Sequence, residues 1–105
     1  MESNRRRHNR LSVNFPIDLK VDSQITLEGM MKDISSKSAF IQMKSSIAMQ
    51  INDQFDFQFN CTIDNEIEKI SGTICISRIV KGEGIAVYFT KMDEESSARL
   101  KQLVG

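Results

Sequence analysis

With 105 residues, 40% of them hydrophobic and 27% charged, the chain reads as one ordinary globular domain with material for a single core. Its 14 basic and 14 acidic side chains cancel, which argues against a general polyanion binder. The charge is nonetheless uneven: Arg5, Arg6, Arg7 and Arg10 meet only Glu2 within residues 1–10, a net of +3 (four minus one), so the remainder sums to −3. No apolar run approaches the roughly 18 residues of a membrane span. The arginine-rich start has no apolar stretch behind it, unlike a signal peptide, so the expected location is cytoplasmic.

Residues 1–10 are polar and charged without an apolar period, and a flexible arm is expected there. From Leu11 the pattern changes. Val13, Phe15, Ile17, Leu19 and Val21 alternate with mostly polar neighbours, the period of a half-buried strand. Pro16 falls on the polar parity, which suits an edge or a bulge. After a turn at Asp22 and Ser23, the alternation of Ile25, Leu27, Gly29 and Met31 predicts a second strand and a hairpin. Residues 33–38 form a polar turn cluster, and a third strand is expected over 39–44. Residues 45–53 read as an irregular linker.

Phe55, Phe57, Phe59 and Cys61 then give the clearest strand, with the three phenylalanines turned into the core. A turn at 64–66 leads into a long strand over 67–80, bent at Gly72. The glycines of 81–84 make a hairpin turn better than a phosphate loop, since a strand follows them. Ile85, Val87 and Phe89 mark the sixth strand. Asp93 is placed to cap a helix, with Glu94 and Glu95 in its first turn and Leu100, Leu103 and Val104 on one face. Short antiparallel strands followed by a helix predict an all-β fold: a closed or nearly closed six-stranded antiparallel β-barrel over 11–105 with a short C-terminal α-helix.

Enzymatic chemistry is hard to place in this chain. The lone histidine, His8, has no carboxylate or cysteine at ligand spacing, so no metal site is expected. No nucleophile elbow appears. Cys61 and Cys75 fit no zinc or redox spacing and are expected as reduced, buried thiols. The aromatics assigned to the core leave few for stacking nucleic acid, so no DNA or RNA partner is expected.

Two polar clusters remain. Arg5-Arg6-Arg7-His8-Asn9-Arg10 reads plainly as a solvated basic leader. Chemically, its guanidinium forks match phosphates and the O6/N7 edge of guanine, and they stack on bases. Asp33-x-Ser35-x-x-Ser38 reads plainly as a turn between strands. Chemically, an ionised Asp accepts from guanine N1–H and N2–H, and a serine hydroxyl with nearby backbone N–H groups binds phosphate.

Taken in order, Arg6-x-x-x-Arg10 and Asp33-x-Ser35 resemble the paired motifs of the PilZ domain family. The stretches from Gly72 to Arg78 and from Gly84 to Phe89 are similar to its penultimate strands. The resemblance implies a receptor for the second messenger cyclic di-GMP, with a downstream protein partner and no cofactor. By position, Arg6 and Arg10 would grip guanine edges and phosphates, while Arg5 and Arg7 would add charge and stacking. Asp33 would read a guanine edge, and Ser35 would hold a phosphate or fix the turn. Arg78 is either a further stacking or phosphate contact or a plain surface arginine. The family's glycine falls at Ser38, and a serine forced into the left-handed region there would cost roughly 1–2 kcal/mol. The alternative is a degenerate domain that binds no nucleotide and works as a protein-interaction adaptor.

Overall fold

The computed structural model describes residues 10–43 and 49–105. Among them run six strands and one helix: β1 (Leu11–Lys20), β2 (Thr26–Ile34), β3 (Ser38–Gln42), β4 (Gln54–Ile63), β5 (Glu66–Val80), β6 (Gly84–Met92) and α1 (Glu94–Val104). Every pairing is antiparallel. The sheet closes on itself in the order β1-β2-β3-β6-β5-β4, which removes open edges. The predicted six-stranded antiparallel barrel with its C-terminal helix therefore stands; the arm expected over residues 1–10 lies, apart from Arg10, outside the described residues.

The period of two explains the core. Ile17 and Leu19 of β1, Phe57 and Phe59 of β4 and Ile85 and Val87 of β6 all point inward and are at most 3% exposed. β1 pairs with β4 only over Asp18–Lys20, so that seam opens at Pro16, which has no N–H to donate. Gly84 is required at the β3–β6 seam, because a Cβ there would collide with the carbonyl oxygen of Ile41.

The helix closes one end. Asp93 accepts from the Ser96 N–H at 2.7 Å, as the sequence predicts, and Gly105 ends the helix at φ 99° with its N–H on the Lys101 carbonyl. Leu100, 2% exposed, enters the core, and the Ser96 hydroxyl accepts from the Ser71 N–H at 3.1 Å. Two details depart from the expected layout. The turn cluster of 33–38 shrinks to residues 35–37, because β2 runs on through Ile34 and β3 begins at Ser38. The third strand ends at Gln42, and Lys44 lies outside the described residues.

Both cysteines are free and buried, but only Cys61 belongs to the core. Cys75 stands on the outer parity of β5, opposite Tyr88 of β6, and is still only 4% exposed. Burial pushes the Cys61 thiol up, the Glu68 carboxylate pushes the same way, and Arg99 opposes both. A thiol raised on folding favours the native state while both states stay protonated. That contribution is complete below the ordinary thiol pKa of about 8.5 and is lost as pH rises beyond it. Alkylation of the native protein with iodoacetamide at pH 8 is expected to be slow at Cys61, and to speed up with urea in step with unfolding. Labelling of Cys61 at the rate of a free thiol without denaturant would contradict this burial.

Candidate functional site

The site forms where β1 enters the barrel and β2 turns into β3. By simple alternation Asp33 shares the inward parity of Leu27, Gly29 and Met31. A register shift between Met31 and Asp33 breaks that parity. Lys32 and Asp33 both face outward in consequence, and Ile34 returns to the core, fully buried. The bulge is what carries the carboxylate to the surface.

The following turn is built by Ser35, which is 2% exposed. Its N–H donates to the Ser38 carbonyl at 2.8 Å. Its Oγ accepts from the N–H groups of Lys37 and Ser38 at 3.2 and 3.1 Å. The hydroxyl thereby shapes the turn. Ser38 is not among the residues with positive φ, which are Asn52, Asp64 and Asn65 besides two glycines. It opens β3 opposite Tyr88, so the expected left-handed strain does not arise.

Arg10 reaches back across this turn. Its Nη1 and Nη2 donate to Ser38 Oγ at 3.3 and 3.4 Å. Nη1 also lies 3.4 Å from Asp33 Oδ1, with the two side chains 44% and 36% exposed. Such an exposed pair adds at most about 1 kcal/mol to stability. Among the described residues Asp33 Oδ1, shielded from solvent, finds no hydrogen-bond partner, so the carboxylate retains acceptor capacity beside the Arg10 guanidinium. Four of the predicted residues thus come together: Arg10, Asp33, Ser35 and Ser38. Arg5, Arg6 and Arg7 lie outside the described residues.

Arg78 stands further along the same face. Strand register lines up Ser12, Asp33, Phe40, Ala86 and Arg78 as successive neighbours across β1, β2, β3, β6 and β5. At about 4.8 Å per strand, Arg78 is three steps, on the order of 14 Å, from Asp33. Sequence reasoning singled out neither Phe40 nor Ala86. Ala39, Phe40 and Ile41 form an unbroken apolar run, which has no parity to read. A cleft of about 740 Å³ opens elsewhere, between Pro16, Gly29, Met43 and Gly82. Among the described residues its charged lining is Glu28 and Glu83, the wrong sign for a phosphate ligand.

The PilZ domain family model matches residues 4–105. Three solved structures share the fold. The Bacillus subtilis inhibitor of motility (MotI/DgrA) superposes with a TM-score of 0.81 at 10% identity, covering 95% of this chain and 49% of its own, so the chain spans about half that protein's length. The PilZ domain of CeSA from a cellulose-synthesizing bacterium gives 0.61 at 20% identity, over 90% of this chain and 93% of its own. The PilZ domain of Escherichia coli YcgR, solved with c-di-GMP, gives 0.68 at 16% identity, over 95% and 88%. No curated protein matches the sequence.

Proposed function

Because the chain belongs to the PilZ domain family, we propose that it is a receptor for cyclic di-GMP, held between the N-terminal arm and the outer face of the barrel. The observation that supports this best is the bulge beside Lys32, which delivers Asp33 to the surface next to Arg10. A guanine offers N1–H and N2–H donors to a carboxylate, and O6/N7 acceptors and phosphates to a guanidinium. Arg10 has five N–H donors, and Ser38 takes only part of them. Arg5, Arg6 and Arg7 would close over the phosphodiesters, and the ordering of the arm would change the surface seen by a protein partner.

Calorimetric titration of the whole chain with cyclic di-GMP tests the reading. Saturable heat at low micromolar concentration is expected. Absence of heat and of amide chemical-shift change at about 100 μM ligand, a binding energy weaker than roughly 5.5 kcal/mol, would remove it.

A second reading is the adaptor that works through protein contacts alone. It draws on the same Ser38, which stands where the family has glycine and whose hydroxyl accepts from Arg10. Low-micromolar binding in the titration excludes it.

A further inference from the structure

We propose that the cleft between Lys37, Lys91 and Lys101 docks an acidic segment of a protein partner, with one apolar side chain of that segment seated on Phe89, Met92 and Leu100. Both readings of the function, receptor and adaptor, require a surface for a partner. The proposal goes beyond them by giving that surface a place and a chemistry.

The cleft lies where three elements meet. The turn of residues 35–37 contributes Lys37, the end of β6 contributes Lys91, and α1 contributes Lys101. The Phe89 N–H donates to the Lys37 carbonyl at 2.9 Å, which ties the turn to β6. On α1, Ser97 and Lys101 stand four residues apart and so share the face turned to the cleft.

The plain reading of three lysines is a solvated surface. Their surroundings favour more. All three are exposed, yet among the described residues none makes an ion pair, whereas Arg10 and Arg99 each meet a carboxylate. Among the described residues no carboxylate lines the cleft. Asp93 and Glu94 follow Met92 directly but stand outside the lining, and Asp93 is engaged by the Ser96 N–H. Three cations thus gather at one point of a body, residues 11–105, that carries 10 basic and 13 acidic side chains. Beneath them the floor is apolar: Leu100 belongs to the core, and Phe89 and Met92 pack half-buried against it. A cationic rim over an apolar floor complements an acidic residue set beside an apolar one.

Size decides the class of occupant. The cleft holds about 210 Å³, the share of about seven waters at roughly 30 Å³ each. Small-molecule sites run from roughly 300 to 1,000 Å³, so a free nucleotide is too large for it. One side chain of a larger partner fits, and interfaces are anchored by such single side chains in pockets. Anionic membranes are met by clusters of about 4–8 basic residues, more than the three that surround this concavity.

The experiment is an amide chemical-shift titration of the full chain, without cyclic di-GMP, with a capped peptide Glu-Glu-Leu-Glu-Glu. Saturable shifts are expected at Lys37, Thr90, Lys91, Ser97 and Lys101, and none with a peptide carrying Gln in place of every Glu. Lys37→Gln and Lys101→Gln, changes of exposed side chains on separate elements, are each expected to weaken binding about 2- to 5-fold, the range for one exposed charge pair. Lys81→Gln, in the turn at the other end of β6, is expected to bind like the native chain. No saturable shift at about 5 mM peptide overturns the proposal. So do equal shifts with the Gln peptide, or unchanged affinity in both cleft variants. Sedimentation with phosphatidylglycerol vesicles that both cleft variants abolish, with no peptide binding, makes the cleft a membrane contact and overturns it as well. Because the messenger is absent throughout, failure here leaves the receptor reading untouched.

Discussion

Replacing Arg10 with alanine is expected to lower affinity for cyclic di-GMP by about 10- to 100-fold, since hydrogen bonds to charged groups are worth roughly 1.5–3 kcal/mol. The same change is expected to move the thermal midpoint by only a few degrees. Arg10 lies just before β1, its guanidinium is 44% exposed, and its contacts are one long ion pair and two long bonds to Ser38. Exposed pairs of that kind contribute at most about 1 kcal/mol. Arg10→Lys separates charge from geometry: a point charge cannot fork between a carboxylate and a base edge, so binding should stay weak. Raising the salt should weaken the native interaction further, because the ligand is a dianion meeting exposed cations. If Arg10→Ala unfolds the barrel instead, the residue is a structural strap and the receptor reading loses its central contact.

The fold was legible because hydrophobic alternation is local. Phe55, Phe57 and Phe59 lie inward as their spacing requires, and Asp93 caps the helix that the acidic first turn and the Leu100 face announce. The site was only half legible, because bulges leave no local signature. Nothing around Lys32 tells a reader that one extra residue sits in β2, yet that residue decides whether Asp33 faces the core or the solvent. The same holds for Ser77 and Arg78 in β5. Cys75 was assigned correctly as buried, but alternation alone could not say that it lies outside the core, against Tyr88. The left-handed strain considered for Ser38 does not arise, for a related reason. The turn is three residues long rather than six, so Ser38 already lies in extended strand and needs no glycine-like backbone.

Replacing Leu100, at the helix end of the barrel, with alanine is expected to cost about 2–5 kcal/mol and about 10–30 °C in thermal midpoint. Leu103 and Val104 pack half-buried beside it, and the helix's polar holds on the barrel are few. Ser96 accepts one backbone bond from Ser71, and Arg99 ties the helix to β5 through the Lys69 carbonyl at 2.9 Å and Glu68 at 3.0 Å. The Arg99 contacts are partly exposed and add little, whereas Leu100 is 2% exposed and fills the open end of the core among the residues that Phe57 and Phe59 also line. Truncation would leave a cavity that the closed barrel cannot readily collapse to fill. Affinity for cyclic di-GMP, measured well below the lowered midpoint, is expected to be unchanged. The residues assigned to the ligand lie on β2, β3 and β5, in the turn of 35–37 and just ahead of β1, all outside the helix. A variant that lost binding while still folded would mean that the helix helps to hold the turn of residues 35–37 in place, a link for which the cleft between Lys37, Phe89 and Leu100 offers the route. A variant as stable as the native chain would mean that the barrel core ends short of Leu100, and that the helix is an appendage rather than a lid.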